Sequence, residues 1–550
     1  MDGKTRIIDY HRRTKHFPNR YAVGPGYLDW ENQPNPFRTF QEAPTRDLPL
    51  AADHLTTRFE DLVPDQSVPS QPMNQFGVAA LFELALGISA WKSYMGERWA
   101  VRCNPSSGNL HPTEGYLISP EKVGPGAGIW HYESEFHRLE LRGKIQEPQW
   151  SDSFPDGLFF VALTTIHGRE SWKYGERAFR YCQLNLGHAE MAFRVAASVL
   201  GWQAVLLDES EDAELIGLLG LQVPLPATPV EQEQPGTILV ISSKQAHRSA
   251  AIPLYKKLLG LAEFITWNGQ ANRLSEKPLR NWHAVEQAQE ATQRTVQPVI
   301  LKTAVFRNVD TTFSPETPPP LPCPTKKLAA DLIRQRRSAV RYDRKGSLSL
   351  KAFFRILDSL LPRKNSGPWD LFNDDARIHP ILMVHDVDGL KPGLYALVRR
   401  PGALDLLKKS MKAEFLWNHV DHAPEHLPLY HLLSGDARLF AKQISCNQEI
   451  AADGFFSLGM LTEFENRLNE GAWYYRRLHE EAGAVGQILY LEAEAAGFQG
   501  TGIGCFFDDL FHQSLGLEGE QFQTLYHFTV GVAVPDNRLE VAPPYAHLLP

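Results

Sequence analysis

The feature that most limits how this chain can fold is a register that repeats once, at long range. Phe159-Phe160 recurs as Phe455-Phe456, 296 positions later. At that same offset Gly175 meets Gly471, Arg180 meets Arg476, Gly187 meets Gly483 and Gly201 meets Gly497. Leu219-Gly220-Leu221 likewise meets Leu515-Gly516-Leu517. One glycine coincidence is cheap, but a constant spacing held from Phe159 to Leu221 is not. Solenoid units repeat every 20 to 50 residues or so, so this period marks duplication of a whole domain. A chain of 550 residues also exceeds what a single hydrophobic core usually supports.

Within the repeat, Leu184, Ala189, Ala192, Phe193, Ala196, Ala197 and Leu200 form one apolar helical face, which Gly201 ends. The counterpart runs through Val485, Ile488, Leu489, Leu491 and Ala495 to Gly497. Small residues dominate the first copy, so this helix is expected to lie close to another, buried at the interface of the halves. Strand-like runs follow: Ala204 to Leu207, Thr237 to Ile241 and, in the second copy, Leu525 to Val534. The mixture predicts an α+β architecture.

Ser314 to Pro324 is too rich in proline to join a packed core and marks a linker. The expected division is 1–255, a connector 256–324 containing a polar helical stretch from Asn281 to Gln297, and 325–550. The connector has a second reading, as a surface-hugging part of the first domain. A net charge of -8 gives no nucleic-acid footprint. No apolar run has the length of a membrane span, and the basic opening lacks the apolar core of a secretory signal. Five scattered cysteines without metal-ligand spacing indicate a reducing compartment, and the cytoplasm is the expected address. No metal site is expected.

Several stretches carry a family resemblance. They are Tyr10-His11 with Thr14-Lys15-His16, Leu28-Asp29-Trp30, Arg102-x-x-Pro105-Ser106-Ser107-Gly108-Asn109, and Lys173-Tyr174-x-x-Arg177-x-x-Arg180-Tyr181 leading to Gly187-His188. Arg336-Arg337-Ser338 and Gly502-Ile503-Gly504-Cys505-Phe506 complete the set. Together these resemble the nitroreductase superfamily, specifically its azoline-oxidase (SagB-type) dehydrogenase branch. The resemblance implies two tandem nitroreductase-like domains forming an intramolecular pseudo-dimer, with FMN bound between them.

FMN requires cationic donors for its phosphate, a packing surface for its ring, and directed hydrogen bonds at the ring edge. Arg336, Arg337, Ser338 and Arg341 offer guanidinium forks and a hydroxyl suited to phosphate; the plainer reading is a solvated basic helix end. In the family a basic residue often follows the serine by two, where this chain has Val340, so the role of Arg341 stays open. Pro105, Ser106, Ser107, Gly108 and Asn109 form a turn, expected between a helix and the strand-like Gly115 to Ile118; it is either a ring-edge loop or an ordinary surface turn. Gly502 and Gly504, with Cys505, would let backbone N–H groups approach the flavin closely. Arg538 stands where the family often places a late phosphate ligand.

The two halves have lost complementary parts. The first keeps the Pro105 to Asn109 turn but has Ala204-Val-Leu-Leu-Asp-Glu209 in place of the glycine turn, and no Arg-Arg-Ser opening. The second keeps those two and has only Asn365 to Trp369 and Ala376 to Pro380 where the loop should be. One composite site keeps both contributions, so one FMN per chain is expected. Lys173-Tyr174 resembles the family's Lys-Tyr pair implicated in azoline oxidation. Its counterpart Asn469-Glu470 is unsuited to that task. A lysine acts as a base only when desolvation or nearby cations lower its pKa, and Arg177 and Arg180 are placed to do so. Lys173 is equally readable as a solvated lysine and Tyr174 as a packing aromatic. His188 reads as a neutral helix histidine bonded to a backbone carbonyl.

The leading expectation is an FMN-dependent oxidoreductase that dehydrogenates a peptide-derived azoline or related small substrate. The alternatives are an NAD(P)H-dependent nitro or quinone reductase, with the nicotinamide as a transient reductant, and a non-catalytic flavin- or peptide-binding scaffold. With the pseudo-dimer inside one chain, a monomer is allowed.

Overall fold

The duplication appears in the computed structural model as two antiparallel sheets with matching strand order. The structure describes residues 2–62, 68–145, 148–222, 231–243, 248–295, 318–363 and 366–548. The first sheet is built on β1 (Thr113–Ser119), β2 (Gly128–Glu133), β3 (Arg138–Ile145), β4 (Leu158–Thr165), β5 (Gln203–Leu206) and β6 (Gln234–Ser242), in the order β3-β2-β1-β4-β6-β5. The second is built on β7 (Ile378–Val384), β8 (Gly393–Leu397), β9 (Leu429–Ser434), β10 (Phe456–Glu463), β11 (Gln499–Ile503) and β12 (Phe522–Ala533), in the order β9-β8-β7-β10-β12-β11. β4, which contains Phe159-Phe160, and β10, which begins at Phe456, are buried along their whole length. The apolar run Leu158 to Leu163 of β4 fits a strand covered on both faces.

Helices keep the sequence offset to the residue. Helix α1 (Ala178–Val199) and helix α3 (Tyr474–Ala495) are both 22 residues long, and α2 (Asp212–Leu219) corresponds to α4 (Asp508–Leu515). Gly201 and Gly497 follow the long helices with φ of 66° and 85°, a left-handed turn that suits glycine.

α1 and α3 pack against each other around a pseudo-two-fold axis. A Cβ on Gly187 would stand 1.9 Å from the Glu480 carbonyl oxygen, and one on Gly483 would stand 2.1 Å from that of Leu184. These contacts are one contact seen twice, because both residues of one pair lie 296 positions from their equivalents. The same reciprocity governs charge. Arg180 pairs with Asp508 at 2.8 Å, and its equivalent Arg476 pairs with Asp212 at 2.7 Å. Both pairs are buried and cross from one half to the other, as in an isologous dimer interface.

The chain's two ends cross the same interface. The first helix, Gly3–Arg13, is followed by Lys15 bonded to Asp509 at 2.7 Å and by the His16 amide donating to Asp508 at 3.1 Å. At the other end, Glu540–Ala542 adds a strand to the hairpin Ile88–Tyr94 and Glu97–Arg102 of the first half. Tyr545 behind it is buried, and its hydroxyl accepts from the Ile88 amide at 2.9 Å.

Part of the segment read as connector packs on the first half. Ile265–Trp267 pairs with β3, Gln270–Ala271 pairs with Phe40–Gln41, and His283–Ala291 forms a helix. Residues 296–317, with most of the proline-rich start, lie outside the described residues, as does Asn365. Among the described residues no helix is long and apolar enough to cross a membrane.

Candidate active site

The Arg336 to Ser338 stretch of the second half, the Pro105 to Asn109 turn of the first, and the Gly502 to Cys505 turn of the second converge on one cavity of about 430 Å³. Its walls come from both halves because α1 and α3 cross beneath it, bringing Tyr181, Asn185 and His188 beside Tyr490.

One pole is cationic. Arg336 is buried, donating to the carbonyls of Cys103 (3.2 Å) and Arg102 (3.0 Å), while its Nη1 is buried without a partner. Arg337 is held by the Ser89 carbonyl (3.1 Å) and by those of Arg334 and Arg336 (both 2.7 Å). Lys92, on the hairpin strand Ile88–Tyr94, joins them. Burial, then Arg337 and Arg336, hold its ammonium below its usual range, and burial lowers both guanidinium groups. Three like charges with an unsatisfied donor are a standing electrostatic cost that an anion would relieve. Ser338 is exposed and shares a 2.9 Å hydrogen bond with the Tyr490 hydroxyl. Lys92 escaped the sequence reading because a lone lysine in a strand carries no pattern.

The glycine turn is shaped by aromatics. A Cβ on Gly502 would lie 1.8 Å from the Tyr526 hydroxyl, and one on Gly504 would lie 2.3 Å from the Tyr181 ring. The Gly502 amide donates to the Tyr490 hydroxyl at 2.9 Å. Only glycine leaves this wall flat enough for a planar ligand to approach the backbone.

The opposing turn is pinned to the central helix. The Ser107 amide donates to Asn185 Oδ1 at 2.9 Å, and Asn185 Nδ2 donates to Glu170 Oε1 at 2.7 Å. Ser106 Oγ accepts the His111 amide at 3.0 Å, and Asn109 Nδ2 donates to the Ala100 carbonyl at 2.8 Å. Gly108 and Asn109 both take positive φ, 61° and 60°. The element before this turn is a β-hairpin strand, Glu97–Arg102, where a helix was expected. The helix Gln75–Leu86 ends earlier, at Gly87, and Met95-Gly96 turns the hairpin.

Lys173 and Tyr174 end the helix His167–Tyr174 and pack on that turn. A Cβ on Gly108 would meet the Tyr174 hydroxyl at 2.7 Å and Lys173 Nζ at 3.2 Å. Tyr174 lines the cavity, and burial, then Glu170, raises its phenol well above the ordinary range. Arg177 and Arg180 do not serve Lys173 as expected. Both point the other way, onto Asp508 at 3.2 and 2.8 Å, and their charge is spent in the interface. His188 is also corrected: its ring bonds the side chains of Gln487 (3.2 Å) and Tyr526 (3.3 Å) in the cavity floor, not a backbone carbonyl. Burial lowers it to about 3, so it is neutral. Arg341 and Arg538 are not brought to the cavity. They line a separate open depression, where Arg538 is bound to Asp536 at 2.7 Å.

The mirror position is filled. At offset 296 Tyr181 corresponds to Arg477, Gly504 to Asp208 and Tyr490 to Arg194. Arg477 bonds Asp208 at 2.5 Å, and Arg194 bonds Asp370 at 2.7 Å. Charged pairs occupy the space that flat aromatics and glycine leave open on the other side. Among the described residues no group of three or more His, Cys, Asp or Glu is placed to hold a metal.

No known family profile matches the chain. A curated relative, the trifolitoxin-processing protein TfxB of Rhizobium leguminosarum bv. trifolii, is 32% identical over 110 residues, which cover 18% of this chain and 29% of that protein. The chain thus spans under a third of that relative's length. A solved structure from Anabaena variabilis, described as a nitroreductase, superimposes with a TM-score of 0.67 at 19% identity, covering 96% of this chain and 99% of that one. That agreement runs through both sheets and both central helices: the chain has the nitroreductase fold along nearly its whole length.

Proposed function

We propose that the cavity binds one FMN and that the chain is an oxidoreductase that dehydrogenates a peptide-derived azoline or a related small substrate. The observation that carries this reading is the convergence of a cationic pole, a glycine-flattened wall and a pinned turn on one cavity, while the equivalent space opposite is closed by ion pairs. The donor set fits the group. Arg336, Arg337 and Lys92 suit a phosphate dianion, and the Gly502 to Gly504 backbone suits a ring edge. The name of the relative TfxB, a toxin-processing protein, supports a substrate of peptide origin.

When bound, FMN supplies a two-electron acceptor for hydride. The chain's own residues must orient the substrate and take the proton that leaves with the hydride. Lys173, packed on the Gly108 turn beside Tyr174, is assigned as proton acceptor, with the bound substrate, in place of Arg177 and Arg180, supplying the desolvation that frees its amine. Tyr174 stays a neutral phenol and donates a hydrogen bond to the substrate.

The test is the visible spectrum of the purified chain with flavin-to-chain stoichiometry, followed by turnover of azoline peptides. One flavin per chain is expected, and Lys173→Ala should lower turnover by about 10² while leaving the flavin bound. A colourless protein that refuses FMN would overturn the cofactor assignment. Unchanged turnover in Lys173→Ala would remove the base. Fast NAD(P)H oxidation coupled to nitroarene reduction, without azoline turnover, would replace this substrate class with that of a nitro reductase.

A further inference from the structure

Cys505 lies on the cavity wall, and Cys446 belongs to a different element that is held against it. Cys446 and Asn447 both have positive φ, 54° and 59°, a backbone that non-glycine residues adopt only when the surroundings enforce it. Gln448 does the enforcing: its Nε2 donates to the Ser445 carbonyl at 2.8 Å and to the Cys505 carbonyl at 3.1 Å. On the other flank the Phe507 amide donates to the Ile444 carbonyl at 2.8 Å. The turn is thus stapled to the Cys505 segment from both sides, which leaves the two thiols within hydrogen-bond reach of each other. Both cysteines are partly accessible and unbridged. Tyr21, half-exposed, covers them from the N-terminal arm, its ring 5.0 Å from that of His16. None of this is needed for the oxidoreductase reading above.

The two thiols are differentiated. The Cys446 thiol, then His16 and Arg177, outweigh burial and hold Cys505 down at about 5, a thiolate at neutral pH. Cys446 is pushed up by Cys505 and by burial, and keeps its proton. A thiolate beside a protonated partner is the division of labour that thiol–disulfide exchange uses, with one sulfur attacking and the other resolving.

We propose that Cys505 and Cys446 form a thiol–disulfide switch at the wall of the cavity, oxidised by low-molecular-weight disulfides. The Cys505 thiolate attacks one sulfur of such a disulfide, forming a Cys505–S–S–R bond and releasing one RS⁻. Cys446 gives up its proton to the released thiolate and attacks Cys505 Sγ, breaking the mixed disulfide and releasing the second RS⁻. The thiolate–thiol pair loses two electrons and the one proton of Cys446, and RSSR becomes one RSH and one RS⁻, which takes its proton from solvent.

The experiment treats the full chain with oxidised glutathione and maps disulfides in a non-reducing digest by mass spectrometry. The expected product joins the Cys446 and Cys505 peptides and is reversed by dithiothreitol. Cys446→Ser should instead accumulate glutathione on Cys505, and Cys505→Ser should leave Cys446 unmodified. Between pH 8 and pH 6.5 the iodoacetamide rate at Cys505 should fall less than twofold, where an ordinary thiol falls roughly twentyfold. Absence of the Cys446–Cys505 crosslink in the unsubstituted protein would overturn the proposal. So would glutathione on Cys446 in Cys505→Ser, or a Cys505 rate that falls like an ordinary thiol.

Discussion

His131 stands between two buried carboxylates, Glu114 at 3.1 Å and Glu140 at 3.0 Å. Burial alone would lower its pKa, but the bonds to Glu114 and Glu140 win and raise it to about 9. A folded value above the unfolded 6.5 means that the stabilisation is complete below about pH 6.5 and is lost as pH rises through about 9. The stability gap between the native chain and His131→Asn, read from urea unfolding, should therefore be widest near pH 6, about 3 kcal/mol, and shrink by pH 9.5. A gap independent of pH would contradict the charged pairing. Gly502→Ala is the matching test in the cavity. With the buried Tyr526 hydroxyl in the way the wall must shift, so FMN affinity should fall at least about tenfold and the thermal midpoint should fall as well, with the far-ultraviolet circular dichroism kept. At this scale the sequence was readable where glycine, proline or paired arginines imposed a pattern. It was silent for Lys92, Tyr490 and Tyr526, whose importance comes only from what lies opposite them. It misled for Arg177 and Arg180, because the partner Asp508 is distant in sequence.

The central helices are the element on which the site depends. Their closest approach puts Gly187 and Gly483 against carbonyl oxygens, so a methyl group at either position forces the helices apart. Overpacking of this kind costs roughly 1–3 kcal/mol. Gly187→Ala and Gly483→Ala should each lower the unfolding free energy read from urea titration by an amount in that range, and by similar amounts, because the contacts are related by the pseudo-two-fold. Strongly unequal losses would show that the symmetry is only geometric. The alanine-rich face of the first copy foretold a helix packed close to another at the interface, and the constant offset is kept by two helices of equal length. The hairpin Ile88–Arg102 was not foretold. The apolar run Val78 to Leu86 is helical by composition, and of the marks that follow it, Gly87 and Gly96, neither alone tells a strand hairpin from a loop.

For the molecule as a whole, the terminal arms tie each half to the other. The C-terminal arm braces the hairpin that carries Lys92 and Trp99 into the cavity. Deleting residues 539–550 removes the Tyr545 anchor and the Glu540–Ala542 strand. The shortened chain should bind FMN at least about tenfold more weakly while keeping its far-ultraviolet circular dichroism; unchanged affinity would show that the arm is dispensable. The two-domain plan was legible from one long-range register, whereas the exchange of arms leaves no periodic trace.

Joining both copies covalently also changes how the molecule responds to dilution. A pocket assembled from two separate polypeptides comes apart as their concentration falls, and its occupancy then depends on how much of each is present. Here the second wall arrives with the first at an effective concentration fixed by the tether. With FMN and substrate kept in excess, turnover per molecule should stay constant from micromolar to picomolar protein. The same tether guarantees that an unlike pair of walls always meets, which leaves the plugged face free to serve as a rigid brace.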